Sequence, residues 1–228
     1  MATSATSLSE RHSDQDIQRD VLAELKWDVR VSPSEIGVVV KDGVVSLRGT
    51  VDAFVKRWAA EDAALSVRGV KAVANDIEVK LGTGAQRSDD DIAAAAARAL
   101  EWDAAVPKDR IKVKVSDALV TLIGEVEWHH QKVDAERVLR RLTGVKGVSN
   151  LITVEPVVSP SDLRLEIESA LVRSAKTDAQ NIQVDVQGGK VLLTGKVKSA
   201  AERYEAERVA WLAPGVTAVD NQIVIFSG

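Results

Sequence analysis

The adjacent pair His129-His130 is the first place in this chain to look for metal or proton chemistry. Neighbours on a helix point about 100° apart, whereas residues that share a metal there sit three or four apart. The spacing therefore favours solvated helix residues, and His12 lies in an N-terminal tail. Glu61, Glu136 and Glu207 recur, each four residues after Arg57, Lys132 or Arg203. That spacing reads as an exposed i,i+4 ion pair worth about 0.2–0.5 kcal/mol. One carboxylate with no second acid nearby in sequence is poorly suited to general acid–base work.

Asn75, Asn150 and Asn221 also recur. Parity places them on the inward face of a strand, where a buried amide needs partners. They are expected to tie the start of that strand to a neighbouring loop. Trp27 and Trp102 end two helical segments, and Arg173 takes that place in a third. Trp58, Val133 and Tyr204 share a position on a later helix, and Trp128 and Trp211 complete the set. An indole at a helix end caps the edge of a packed layer, which is the favoured reading, or sits at a membrane interface or partner groove. Trp27, Trp102 and Arg173 are the candidate partner or lipid surface. No catalytic, cofactor-binding or metal-binding residue is expected, and the chain reads as not an enzyme.

The elements that position these residues come in three copies. A shift of 75 carries Ile17, Trp27, Gly49, Glu61, Gly69, Asn75 and Ile77 onto Ile92, Trp102, Gly124, Glu136, Gly144, Asn150 and Ile152. A further shift of 71 reaches Leu163, Arg173, Gly195, Glu207, Gly215, Asn221 and Ile223. No gap falls inside a copy. Ser13, Ser88 and Ser159, each three residues before an aspartate, open capping-box-like helices. Apolar residues then recur at helical spacing (Ile17, Val21, Leu25), and next at strand spacing (Ile36, Val38, Val40).

The segment "VVKDGVVSLRGTV" at 39–51 is a β-hairpin turning at Asp42-Gly43, a dipeptide suited to positive φ. The third copy has Gly188-Gly189 there. The second has Asp117-Ala118, which predicts a strained turn with Ala118 at positive φ. Gly49, Gly124 and Gly195 are expected to end the second strand where the chain bends. Gly69, Gly144 and Gly215 are expected to cap the second helix at C′. The outward-facing Ile123, Leu151, Leu192 and Val224 are candidates for contact between copies.

This pattern resembles the BON (bacterial OsmY and nodulation) domain family. The resemblance rests on the "DG-V-V-L-x-G-x-V" hairpin, the helix after it, and "GV-x-x-V-x-N-x-I", with two echoes of each. It covers roughly residues 13–227. The openings "DIQRDVLAELKW" and "DIAAAAARALEW" are similar to those of soluble three-BON bacterial proteins lacking a leader. The resemblance implies a non-enzymatic protein. Relatives at the periplasm or outer membrane are linked to osmotic stress and to phospholipid, and another, cytoplasmic, binds potassium.

The expected fold is α+β: three tandem α-β-β-α-β two-layer sandwiches, each a three-stranded mixed sheet with two helices on one face. The domains are placed at 13–80, 88–155 and 159–228, after a disordered tail at 1–12. Hydrophobic residues make up 45% of the chain and charged residues 28%, there is no cysteine, and the formal net charge is −4. Disulfide and thiolate chemistry are excluded, and nucleic acid is disfavoured as a partner because phosphate binding needs a basic surface. No cofactor is expected. The start has neither a signal peptide pattern nor a membrane span, so a cytoplasmic location is expected, or a periplasmic one if a leader precedes it. The functional expectation is a stress-associated binding or scaffold protein. Phospholipid-surface binding and potassium sensing are the alternatives; a protein partner would be unknown, as is the oligomeric state.

Overall fold

The structure, a computed structural model, describes residues 13–107, 109–155, 159–174 and 181–225. The expected tail at 1–12 with His12, part of the second linker at 156–158, and the last residues of the third domain at 226–228 lie outside the described residues. By density of packing the chain divides into two compact units. One comprises residues up to Ile92 with Ser116–Leu119 and Arg140–Gly147; the other comprises Ala93–Val115, Val120–Leu139 and the chain from Val148 onward.

Each repeat opens on a serine cap. The Ser13 hydroxyl accepts from the Asp16 N–H at 3.1 Å, and the Asp16 carboxylate accepts from both the Ser13 hydroxyl and its N–H, closing a capping box on α1 (Asp14–Trp27). The Ser88 and Ser159 hydroxyls likewise accept from the Asp91 and Asp162 N–H groups and donate to those carboxylates. They start α3 (Asp89–Trp102) and α5 (Pro160–Arg173).

In the first repeat β1 (Ile36–Lys41) pairs antiparallel with β2 (Val44–Val51). The chain crosses through α2 (Phe54–Ser66) and returns as β3 (Ala72–Val79), parallel to β2. The second repeat gives β4 (Ile111–Ser116), β5 (Leu119–Val126), α4 (His129–Leu139) and β6 (Gly147–Val154), in sheet order β4-β5-β6. The third gives β7 (Ile182–Gln187), β8 (Lys190–Val197) and α6 (Ala200–Trp211). Its last strand is interrupted into β9 (Ala218–Asn221) and β10 (Val224–Ile225), both parallel to β8.

One buried layer joins Ile17, Val21 and Leu25 of α1 to Ile36, Val38, Val45, Leu47, Val51 and Ile77 of the sheet and to Ala59, Ala60, Ala63 and Ala64 of α2. Both helices therefore cover one face of the sheet, and alanines bring α2 close to it. The third repeat has a core at equivalent positions, around Ile167, Leu193 and Ala206. The outer sheet faces stay open: Ile123, Leu151 and Val224 are exposed and Leu192 is half-buried. They are not the contacts between repeats, which form at helix ends instead.

The hairpin tips are held by a residue the sequence reading passed over. Asp42 and Gly43 lie at φ 54° and 80°, and Asp117 and Ala118 at 54° and 64°, the backbone of a type I′ turn. Such a turn presents two N–H groups together. The Asp14 carboxylate, at the first position of α1, accepts both, at 2.8 and 2.9 Å from Asp42 and Gly43. Asp89 accepts both at 2.9 Å from Asp117 and Ala118. Pro160 stands at that place in the third repeat, and there only Gly188 has positive φ, as in a type II′ turn. Gly189 is needed for room rather than for φ, because a Cβ would lie 2.5 Å from the Gly215 carbonyl oxygen.

Two other glycine roles differ from expectation. Gly49, Gly124 and Gly195 lie inside β2, β5 and β8, not at their ends. A Cβ at any of them would overlap the carbonyl oxygen of Glu35, Arg110 or Asn181, just before the partner strand begins. Gly69, Gly144 and Gly215 lie at positive φ, but α2, α4 and α6 end three or more residues earlier. They turn the chain into the third strand rather than cap the helix.

Ala118→Gly should stabilise the protein by up to about 1 kcal/mol, since glycine's greater unfolded-state entropy offsets part of the relieved strain. Gly43→Ala should cost about as much. Asp89→Ala should cost about 1 kcal/mol by removing two charge-assisted hydrogen bonds at an exposed site. Chemical denaturation measures all three, and hydrogen exchange at the Asp117 and Ala118 amides should accelerate in Asp89→Ala alone.

Candidate functional site

The recurring asparagines and glutamates come together, although they lie 14 residues apart in sequence. The Asn75 side-chain N–H₂ donates to the Glu61 carboxylate at 2.8 Å and to the Arg57 carbonyl at 3.2 Å, while its amide oxygen accepts from the Ile77 N–H. The Arg57 guanidinium returns to the Asn75 carbonyl at 3.1 Å. Asn150 makes the matching bonds to Glu136, Lys132 and Ile152, and Asn221 to Glu207, Arg203 and Ile223. The asparagine thus clamps the third strand to the second helix, not to a loop. Glu61 and Glu207 point at the amide rather than pairing with Arg57 and Arg203. Chemically the cluster is a set of satisfied hydrogen bonds on half-buried groups.

The tryptophans divide into two sets. Trp27 is 84% exposed and Trp102 86% exposed, so neither caps a layer edge. Leu25 and Leu100, two positions before them, take the buried stripe; Trp27 and Trp102 fall on the solvent side of the helix. Val29, beside Trp27, is fully exposed as well. Arg173 is also exposed, but it lines a groove of ≈ 760 Å³ shared with Trp128, Glu205, Arg208 and Pro214. Glu205 is buried there, with the Arg208 guanidinium in a two-pronged pair at 2.8 Å and the Ser174 hydroxyl at 3.2 Å. That pair holds the Arg208 pKa above its ordinary value.

Trp58, Trp128 and Trp211 are half-buried, as packing residues should be. Within the first compact unit, the Arg140 guanidinium lies 4.3 Å from the Trp58 ring centroid and that of Arg30 lies 5.3 Å away, both at cation–π range. Within the second, His129 and Trp211 have ring centroids 4.1 Å apart, and the Gly215 N–H donates to the Glu127 carbonyl at 2.8 Å. Burial, then the Lys132 ammonium and His130, hold the His129 imidazole below its ordinary pKa. His129 is thus a packing residue of a helix-end contact. Among the described residues no helix is long and apolar enough to cross a membrane.

Three α-β-β-α-β sandwiches in tandem, each with the same polar clamp, define a repeat protein of the α+β class. The BON domain matches at residues 13–80, 88–156 and 159–225, and the chain belongs to this family. It is 29% identical over 121 residues to the osmotically-inducible protein Y of Escherichia coli, a match that spans 50% of this chain and 60% of that protein. It is 26% identical over 151 residues to the outer membrane lipoprotein DolP of Haemophilus influenzae, spanning 63% of this chain and 76% of that one. Among solved structures, the C-terminal domain of CdsD, a structural protein of the type III secretion system of Chlamydia trachomatis, aligns with 94% of this chain and 99% of its own. That alignment has 15% identity and a TM-score of 0.26.

Asn75→Asp should place a second carboxylate against Glu61 and against the Arg57 carbonyl. Destabilisation of about 1–3 kcal/mol is expected at neutral pH. The facing carboxylates would titrate above their unfolded values, so the loss should shrink as pH falls through that raised range. Urea denaturation at neutral and mildly acidic pH measures it. For His129, whose folded pKa is depressed, stability is fully present above the ordinary histidine pKa and declines as pH falls below it. Trp211→Ala should raise the His129 pKa toward its ordinary value, read by NMR titration.

Proposed function

We propose that this protein is a stress-associated, non-catalytic binding and scaffold protein, built of three BON modules over 13–80, 88–155 and 159–228. The observation that carries this reading is the pair of exposed indoles, Trp27 and Trp102, at the same helix end of the first two repeats. Tryptophan is the residue type most enriched at binding hot spots, and its ring gains most from being covered. A non-catalytic role agrees with the clamp, in which each recurring glutamate is already bonded to an asparagine amide. The stress association draws on the similarity to an osmotically-inducible protein. Several modules on one chain would add avidity.

A second reading is a phospholipid surface as the target. It is favoured by the same solvent-facing indoles, which suit the headgroup level of a bilayer, and by similarity to an outer membrane lipoprotein. That similarity directs the reading to the cell envelope rather than the cytoplasm. The net charge of −4 favours zwitterionic over anionic headgroups.

Vesicle flotation with zwitterionic and anionic lipids, read alongside tryptophan emission, separates the two readings. If lipid is the target, zwitterionic vesicles should carry the protein up the gradient and shift its emission to the blue, and Trp27→Ala with Trp102→Ala should abolish both effects. If a protein is the target, cross-linking in salt-stressed cells should capture a partner that the double variant loses while vesicles leave the protein behind. A double variant that keeps every partner and every vesicle interaction of the parent would remove the indoles from the recognition surface and refute the proposal.

A further inference from the structure

The two helix-end contacts use the same donor position of the repeat, and receiving positions one helical turn apart. Trp58, on the opening turns of α2, meets Arg140, just past the end of α4. His129, at the opening of α4, meets Trp211, the last residue of α6. The repeat shifts of 75 and 71 carry Leu65 onto Arg140 and then Trp211, and carry Phe54 and Trp58 onto His129 and Val133 and then Ala200 and Tyr204. In each contact the start of the second helix in one repeat receives the end of the second helix in the next. Crevices at equivalent segments, 52–56 against 140–145 and Trp128 against Leu212, Ala213 and Pro214, follow the same register.

Such a contact is heterologous: the two surfaces differ, so a chain of repeats always leaves one of each unused. Here the unused donor end is in the first repeat, where Leu65 is 56% exposed. The unused receiving face is in the third, where Tyr204 is 71% exposed. A single exposed apolar residue has no meaning by itself. Leu65 stands at the donor position that is half-buried in both interior contacts, as Arg140 and Trp211, and Tyr204 stands at the position where Trp58 receives Arg140.

We infer that the receiving face around Tyr204 binds the Leu65 end of a second copy of this chain, so that the protein self-associates head to tail through the contact it already makes twice internally. The test is sedimentation velocity of the full chain over a wide concentration range, with Leu65→Glu and Tyr204→Glu, both at exposed sites, checked for an unchanged circular dichroism spectrum. The parent should grow beyond the monomer as concentration rises. Each variant alone should stay monomeric. An equimolar mixture of the two should form dimers and nothing larger, because it contains one intact pair of ends. A parent that is monomeric up to the millimolar range would overturn the inference. So would variants that associate like the parent, or a mixture that stays monomeric.

Discussion

The asparagine clamp is the constraint on which each repeat depends. A unit of about 65 residues buries little apolar surface and is marginal as a separate fold. Its two parallel strands pair directly, but the chain connects them only through the crossover helix, which must be held in place on the sheet. Asn75 bonds at once to the helix backbone at Arg57, to the helix side chain Glu61, and to its own strand at Ile77, so helix and strand cannot slide past one another without breaking all three bonds. The alanines at 59, 60, 63 and 64 allow the approach that makes these bonds short enough to form. The polar clamp is present three times, and of the four alanines the one at 60 recurs in every copy, as Ala135 and Ala206.

With the crossover fixed, the rest of the repeat can vary. The hairpin tip shows how. A carboxylate at the first helical position gathers the two N–H groups of a type I′ turn, and while it is present even Ala118 is held at φ 64°. Where Pro160 replaces the carboxylate, the turn changes to a single positive-φ glycine. The same carbonyl still reaches forward in all three copies: Gly43, Ala118 and Gly189 each accept from the N–H of Lys71, Lys146 or Thr217 at 2.8 to 2.9 Å. Turn geometry drifts, and the bond that joins the hairpin to the third strand persists.

The proposed recognition surface and the contacts between neighbouring repeats lie on helix ends rather than in a cleft between strands. Exposed indoles finish the first helices, and the ends of the second helices carry the contacts between neighbouring repeats. Both follow from the two-layer plan. With both helices on one face, their ends and outer sides are the parts of a repeat that project, while the sheet's outer face remains largely polar in the first repeat, crossed by an Arg48–Asp76 ion pair at 3.6 Å.

The sequence by itself determined the repeat, the order of elements, the buried stripes and the family, because periodicity and gapless internal alignment are local and threefold redundant. It also marked Ala118 for positive φ, by its equivalence to the glycine of the Asp42-Gly43 turn. Tertiary structure decided the rest. The partners of Asn75 and Glu61 lie 14 residues apart and meet only when the crossover closes, so the i,i+4 spacing of Arg57 and Glu61 pointed to an ion pair instead. Asp14 looked like one more acidic residue in a first helical turn, and its bond to a turn 28 residues away exists only after α1 packs on the sheet. Trp27 and Trp102 read as edge caps because indoles usually cover something, but rotation of the helix about its buried stripe turns them outward. Gly49 needed the position of the Glu35 carbonyl, just before the neighbouring strand, before its lack of a side chain had a reason. Spacing along a chain records what repeats, whereas which groups touch across elements is set by how closely the layers approach.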